Sequence, residues 1–160
     1  MKKVFVVQLL TLFTLISYGQ TKIDMLVMEK INNYRVENGV TPLIFDSLAW
    51  KASNHHSIYL AENGFPFDYI CTSGHLELEL VKPSDRLRYV GAVLTECAAE
   101  NVNAFLIWDD DYDVIAQHVF NLWVESTEHN SLLLHPQPVF GAVSVYTTKG
   151  EAFSTLNVYK

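Results

Sequence analysis

Between Ile23 and Asn38 the apolar positions Ile23, Val27, Ile31 and Tyr34 recur at intervals of three and four, the spacing of one helical face. Asn38-Gly39 supplies a stop, because glycine takes the left-handed cap without strain, and Thr41-Pro42 follows just beyond it. A second helix is predicted from a cap at Asp46 or Ser47 to about Glu62. Its stripe is Leu48, Ala52, His55 or His56, and Tyr59, and Asn63-Gly64 closes it. A third long helix is predicted over Tyr112–Val124, with Ile115, Val119 and Leu122 on one side. The period then shortens. Val139–Tyr146 and Glu151–Tyr159 alternate apolar and polar residues for much of their length around Thr147-Thr148-Lys149-Gly150, which predicts a hairpin.

The middle of the chain is less regular. Leu76, Leu78 and Leu80 alternate with Glu77 and Glu79, suggesting a short strand. Ser84 starts a short helix through Tyr89 that ends at Gly91, and Ala92–Ile107 reads as loop and strand around Ala99-Glu100-Asn101-Val102. There is no internal repeat and no linker-like stretch. Helices first and a hairpin last predict an α+β domain with helices against an antiparallel sheet.

The first residues fall outside that domain. Met1-Lys2-Lys3 is basic, Val4–Ile16 is apolar except for Gln8, Thr11 and Thr14, and Ser17-Tyr18-Gly19 offers small residues for a cut before Gln20. This is the pattern of a secretory signal peptide, and its apolar run falls short of the roughly 20 residues a spanning helix needs. The expected division is a leader at 1–19 and one domain at 20–160. No later run is apolar enough to cross a bilayer, so the expected product is secreted or periplasmic.

Composition narrows the partners. The 160 residues are 49% hydrophobic and 18% charged, with a formal net charge of −7, and loss of Lys2 and Lys3 with the leader makes it −9. A field of that sign repels nucleic acid and anionic membranes. Export would place the two cysteines in an oxidising compartment. Cys71 and Cys97 are the only pair available, and the expected bridge would stabilise the fold by about 3.5 kcal/mol on the loop-entropy model.

Many signatures of chemistry are absent: there is no G-x-S-x-G, G-x-G-x-x-G, phosphate-binding loop or H-E-x-x-H. His75-Leu76-Glu77 matches half of a zinc-deaminase signature, but no P-C-x-x-C follows. Asp109, Asp111 and Asp113 alternate like calcium ligands. The sixth and twelfth loop positions are Val114 and Phe120, where Gly and Glu are needed, so the acids are read as a solvated helix start that complements the dipole. Histidine and carboxylate remain. Of the six His, His55 and His118 fall on predicted helices, whereas His75 and His129 fall in predicted loops with small or polar neighbours.

Asn32-x-x-Arg35-x-x-x-Gly39-x-x-Pro42-Leu43, followed by Asp46, Leu48, Ala52 and His55 or His56, resembles the opening of a CAP domain, the superfamily of cysteine-rich secretory proteins, antigen 5 and pathogenesis-related 1, also called SCP. The resemblance continues in order through Gly74-His75, Arg86 to Gly91, Ala99-Glu100-Asn101-Val102, Trp123-x-x-Ser126-x-x-His129-Asn130-x-x-Leu133 and Gly141-Ala142-Val143. It implies a three-layer α-β-α sandwich with a central antiparallel sheet. It also implies a cleft in which His75, His129 and Glu100 hold a divalent metal such as zinc, two imidazoles and a carboxylate leaving a fourth position for water. The eukaryotic pattern has a second Glu where this chain has Ser126; Glu125 and Glu128 lie near that position but would point differently on a helix.

Three functions follow from the resemblance. The first is an exported binding module for a small molecule, lipid or extracellular partner. The second is a metal-dependent hydrolase with Glu100 as ligand or general base. The third is a structural envelope protein in which His75, Glu100 and His129 form only a hydrogen-bond network.

Overall fold

The computed structural model describes residues 20–64, 77 and 80–160. The expected leader, Cys71, His75 and most of the Leu76–Leu80 alternation lie outside them. Glu77 and Leu80 are described and belong to no strand.

Helix α1 spans Lys22–Glu37 and begins with a reciprocal cap: the Asp24 backbone N–H donates to the Thr21 hydroxyl, and the Asp24 carboxylate accepts from the Thr21 N–H. Ile44–Phe45 forms a two-residue strand, β1. Helix α2, Ser47–Asn63, is capped by Asp46, whose carboxylate accepts from the Leu48 and Ala49 N–H groups at 2.9 and 2.8 Å. Helix α3, Pro83–Tyr89, places its proline at the start, where the missing N–H costs nothing. Strand β2, Ala98–Leu106, leads to α4, Tyr112–Glu125, capped by Asp111. The aspartates before it act as local caps: Asp109 accepts from the Asp111 N–H and Asp111 from the Asp113 N–H, each at 2.8 Å. Helix α5, Thr127–Leu133, and the hairpin β3, Phe140–Thr148, and β4, Glu151–Tyr159, complete the chain.

The sheet order is β1-β3-β4-β2. The β2–β4 and β3–β4 pairings are antiparallel, as expected, while β1 joins the β3 edge in parallel and makes the sheet mixed. The hairpin turns through Lys149 and Gly150 at φ of 52° and 80°, the pair of positive values that suits the twist of a two-residue loop. Gly141 answers to a different constraint. A Cβ there would lie 3.0 Å from Val158 Cγ1, 3.1 Å from Leu43 Cδ1 and 3.2 Å from the Asn157 carbonyl oxygen.

Side-chain alternation divides the sheet between two helical layers. Val143, Val145, Leu156 and Val158 pack with Val27, Ile31, Val119 and Trp123 of α1 and α4. Ala142, Tyr159, Val102 and Phe153 face the α2–α3 side, where Ala49, Ala52, Leu60 and Leu87 meet them. This is the three-layer α-β-α sandwich expected from the sequence. Two elements were not expected. Helix α5 buries only Leu133 among its seven residues, so it carries no apolar stripe. Strand β1 exposes both side chains and has no pattern to read.

Of the expected Cys71–Cys97 pair, Cys71 lies outside the described residues, and among those residues Cys97 carries a free thiol. Partial burial, followed by the nearby Glu96 charge, raises the Cys97 pKa above its ordinary value.

Candidate functional site

The sheet face toward α2 and α3 carries a chain of buried polar groups. The alternation of β2 turns Glu100 to this face, and α3 carries Arg86 beside it. The Arg86 Nε donates to Glu100 Oε2 at 3.2 Å and its Nη2 donates to Oε1 at 2.5 Å, a two-pronged grip between side chains that are both fully buried. Arg86 Nη1 donates to the Leu80 carbonyl at 2.7 Å and lies 3.8 Å from Glu77. The Asn157 amide of β4 donates to Glu100 Oε2 at 3.0 Å and also reaches the Ser53 hydroxyl at 3.2 Å. Ser53 in turn donates to the Ala142 carbonyl, which fastens α2 to β3.

The adjacent histidines of α2 bring the second carboxylate into this chain. His56 is fully buried, with Nδ1 3.1 Å from Glu77 Oε2 and Nε2 3.6 Å from Glu100 Oε1. His55 Nε2 lies 2.6 Å from the other oxygen of Glu77. Two carboxylates therefore share one guanidinium and two imidazoles. Burying charge is costly unless it is paired and hydrogen-bonded, and here each carboxylate has at least two partners.

His55 is the outlet of the network, since 42% of its side chain is exposed. It lines a groove along the outer side of α2 with Trp50, Asn54, Ile58, Tyr59 and Glu62, of about 330 Å³. Trp50 is held from below by the Asp24 carboxylate, which accepts its Nε1–H at 3.0 Å. Asp24 also accepts the Val145 N–H at 2.8 Å. Burial raises the Asp24 pKa above the usual carboxylate value against the opposing effect of these bonds.

Of the residues expected to hold a metal, Glu100 sits in this network and its oxygens are engaged by Arg86 and Asn157. His129 is half-buried at the start of α5, and its carbonyl accepts from the Asn101 amide at 3.0 Å. Asn101 follows Glu100 in β2, so its side chain leaves by the other face of the sheet. His75 lies outside the described residues. Glu125 and Glu128 are exposed. Among the described residues, no group of three or more His, Cys, Asp or Glu is placed to hold a metal ion. A cation bound by Glu100 would meet the Arg86 guanidinium already on that carboxylate, so in this arrangement Glu100 suits an arginine partner better than a metal.

Sequence reasoning placed His55 and His56 on a helical stripe without giving them a role, and it read Glu77 as part of a strand. The overlooked signal was polar: Ser53, His56 and Ser57 occupy the sheet-facing side of α2, where a purely apolar core would place Leu or Val. Such residues on a buried face imply carbonyl and carboxylate partners across it.

A family model described as CAP: Cysteine-rich secretory protein family matches residues 28–158. No curated protein matches the chain at a significant level. Solved structures do. An extracellular protein containing an SCP domain from Bacillus anthracis is 20% identical with a TM-score of 0.66, over 86% of this chain and 40% of that one. An outer surface protein from Borrelia burgdorferi is 19% identical with a TM-score of 0.70, over 88% of this chain and 95% of that one. A structure of NaASP2 with Zn2+ is 10% identical with a TM-score of 0.57, over 88% of this chain and 80% of that one. The chain thus spans well under half of the Bacillus protein and nearly all of the Borrelia one, and at these identities the likeness is one of fold.

Proposed function

We propose a function from the premise that the chain belongs to the CAP, or cysteine-rich secretory protein, family: it is an exported binding module that holds a small molecule, lipid or extracellular partner in the α2 groove beside His55. The observation that carries this reading is the half-exposed His55 at the end of an otherwise buried ionic network, opening on a groove lined by Trp50, Ile58 and Tyr59. Apolar walls with a few fixed polar groups are what a ligand site requires. Glu77 fixes the His55 ring, so the imidazole would meet a ligand already oriented. Export is supported by the leader pattern of residues 1–19.

Binding is preferred over hydrolysis because the carboxylate assigned as general base has its oxygens engaged by Arg86 and Asn157. It is preferred over a purely structural role because a network serving only the fold has no need of a half-exposed member in a groove. Zinc remains a ligand to test; its chemistry there would be to polarise a bound water or a ligand oxygen.

The test is a thermal-shift and calorimetric screen of the protein with cholesterol, single-chain fatty acids and zinc chloride, each repeated with His55→Ala and Tyr59→Ala. The reading predicts micromolar binding of a sterol or fatty acid that falls about tenfold in both variants while their circular dichroism is unchanged. Lipid binding indifferent to both substitutions would sink it. Zinc binding lost in a His75→Ala, His129→Ala pair but kept in His55→Ala would restore the metal cleft in its place.

A further inference from the structure

A second cleft lies on the opposite helical layer, well away from His55. It is lined by Lys30 of α1, by Trp108 in the link from β2 to α4, and by Asp113, Gln117, His118 and Asn121 of α4, and has a volume of about 430 Å³. That lies within the range of about 300–1,000 Å³ typical of small-ligand sites. Asp113, Gln117 and Asn121 are spaced by four, so one row of polar side chains runs along α4, with Trp108 beside it.

Trp108 is the unusual member. It is 63% exposed, whereas Trp123, a side chain of the same size, is fully buried. Its ring is nevertheless fixed. The centroid of His118 lies 4.3 Å away with the planes at 85°, and that of Phe105 lies 6.0 Å away. His118 also stands edge-on to Phe105 at 4.6 Å. An indole held by two neighbours and still open to solvent is a preformed flat platform, and preorganisation lowers the entropy lost on binding.

The polar lining indicates what the platform receives. One ammonium and one carboxylate, Lys30 and Asp113, give the cleft no dominant sign, which disfavours both a strong cation and a strong anion. The Gln117 side-chain N–H donates to the Asn121 side-chain oxygen at 2.8 Å. That bond leaves the Gln117 oxygen and the Asn121 NH2 with hydrogen-bonding capacity. Carboxamides in a row, one carboxylate, one ammonium and an exposed indole match a ligand with an apolar C–H face and many hydroxyls. We propose that the Trp108–Gln117–Asn121 cleft binds a neutral saccharide, with a pyranose ring stacked on Trp108 and its hydroxyls held by Asp113, Gln117 and Asn121.

The test follows the Trp108 indole N–H by nuclear magnetic resonance, assigned by its loss in Trp108→Phe, while the protein is titrated with cellopentaose, chitopentaose and mannopentaose. Tetramethylammonium serves as a cation control. The proposal expects at least one oligosaccharide to shift the Trp108 signal at concentrations up to about 10 mM. Trp108→Ala should weaken that binding about tenfold or more, and Asn121→Ala several-fold. His55→Ala should leave it unchanged, so this result stands or falls independently of the α2 groove. No shift with any of the three sugars would overturn the proposal. So would undiminished binding by a folded Trp108→Ala protein, or a response to tetramethylammonium alone.

Discussion

On one face of the sheet, α1 and α4 bury Val27, Ile31, Val119 and Trp123 against Val143, Val145 and Leu156. On the other, α2 brings Ser53, His56 and Ser57, and α3 brings Arg86, onto Glu100, Thr155 and Asn157. Both layers close on the same three strands, yet they depend on different physics. The first is non-directional: apolar area is withdrawn from water and volume is filled. The second is directional, resting on hydrogen bonds and ion pairs between named atoms of Arg86, Glu100, Ser53 and Asn157. An apolar layer adapts to a lost side chain by partial collapse, whereas a polar one leaves a named atom without its partner.

Removal of one member from each layer gives the largest expected effects and separates the two mechanisms. Arg86→Met leaves Glu100 buried without its guanidinium and is expected to cost about 3–5 kcal/mol. Trp123→Ala is expected to cost about the same through the cavity it opens, since Trp123 is fully buried. A second substitution separates them. Arg86→Met with Glu100→Met should recover much of the loss, because the orphaned charge goes with its partner. No such deletion repairs the Trp123 cavity. Urea unfolding of the three variants gives the answer, and a double mutant no more stable than Arg86→Met alone would show that the network contributes shape rather than charge pairing.

A smaller effect is expected where the layers share a strand. Gly141→Ala would bring a methyl to 3.0–3.2 Å of Val158, Leu43 and the Asn157 carbonyl. The cost should be about 1–3 kcal/mol, the usual range for overpacking. Because Asn157 also holds Glu100 and Ser53, the strain should propagate to the polar layer. A shift of the His55 ring resonances in Gly141→Ala, alongside the lower unfolding midpoint, would show that coupling; unmoved His55 signals would confine the strain to the strand pair.

The apolar layer was easier to read in the sequence because its signal is periodic. Ile23, Val27 and Ile31, or Ile115 and Val119, declare a helical face by period alone, and the alternation of Val143 and Val145 declares a strand. Caps at Thr21, Asp46 and Asp111 use local bonds, so α1, α2 and α4 begin within a residue of where the sequence places them. The polar network leaves no such trace. Its contacts join residues far apart in sequence, as Ser53 to Asn157 and Arg86 to Glu100 do, and one sequence carries no periodicity for them. Glu100 was singled out by the order of short segments shared with a family, but its Arg86 partner lay within a different segment of that resemblance. Helix α5 was missed because its surface is polar on nearly every side, and the fold holds it through Leu133 and through Arg35, which donates to the Leu133 and His135 carbonyls.

The smallest expected effect uses pH to probe a histidine of the apolar layer. His118 packs between Phe105 and Trp108, and burial lowers its pKa below the ordinary 6.5, a shift that the Glu125 charge partly opposes. Above pH 6.5 the imidazole is neutral in both folded and unfolded chains, and its contribution to stability is fully present. As pH falls below 6.5 the unfolded chain takes up the proton first, so stability is lost progressively until the folded pKa is passed. His118→Phe keeps an aromatic ring against Phe105 and Trp108 and removes the titration. Stability measured by urea unfolding from about pH 7.5 to about pH 5.5 should therefore fall less steeply in His118→Phe than in the parent. Every other titrating group is common to the two proteins and cancels in the difference. Parallel curves would mean that the ring is solvated enough to titrate as it does in the unfolded chain, so that partial burial against Phe105 and Trp108 does not set its protonation.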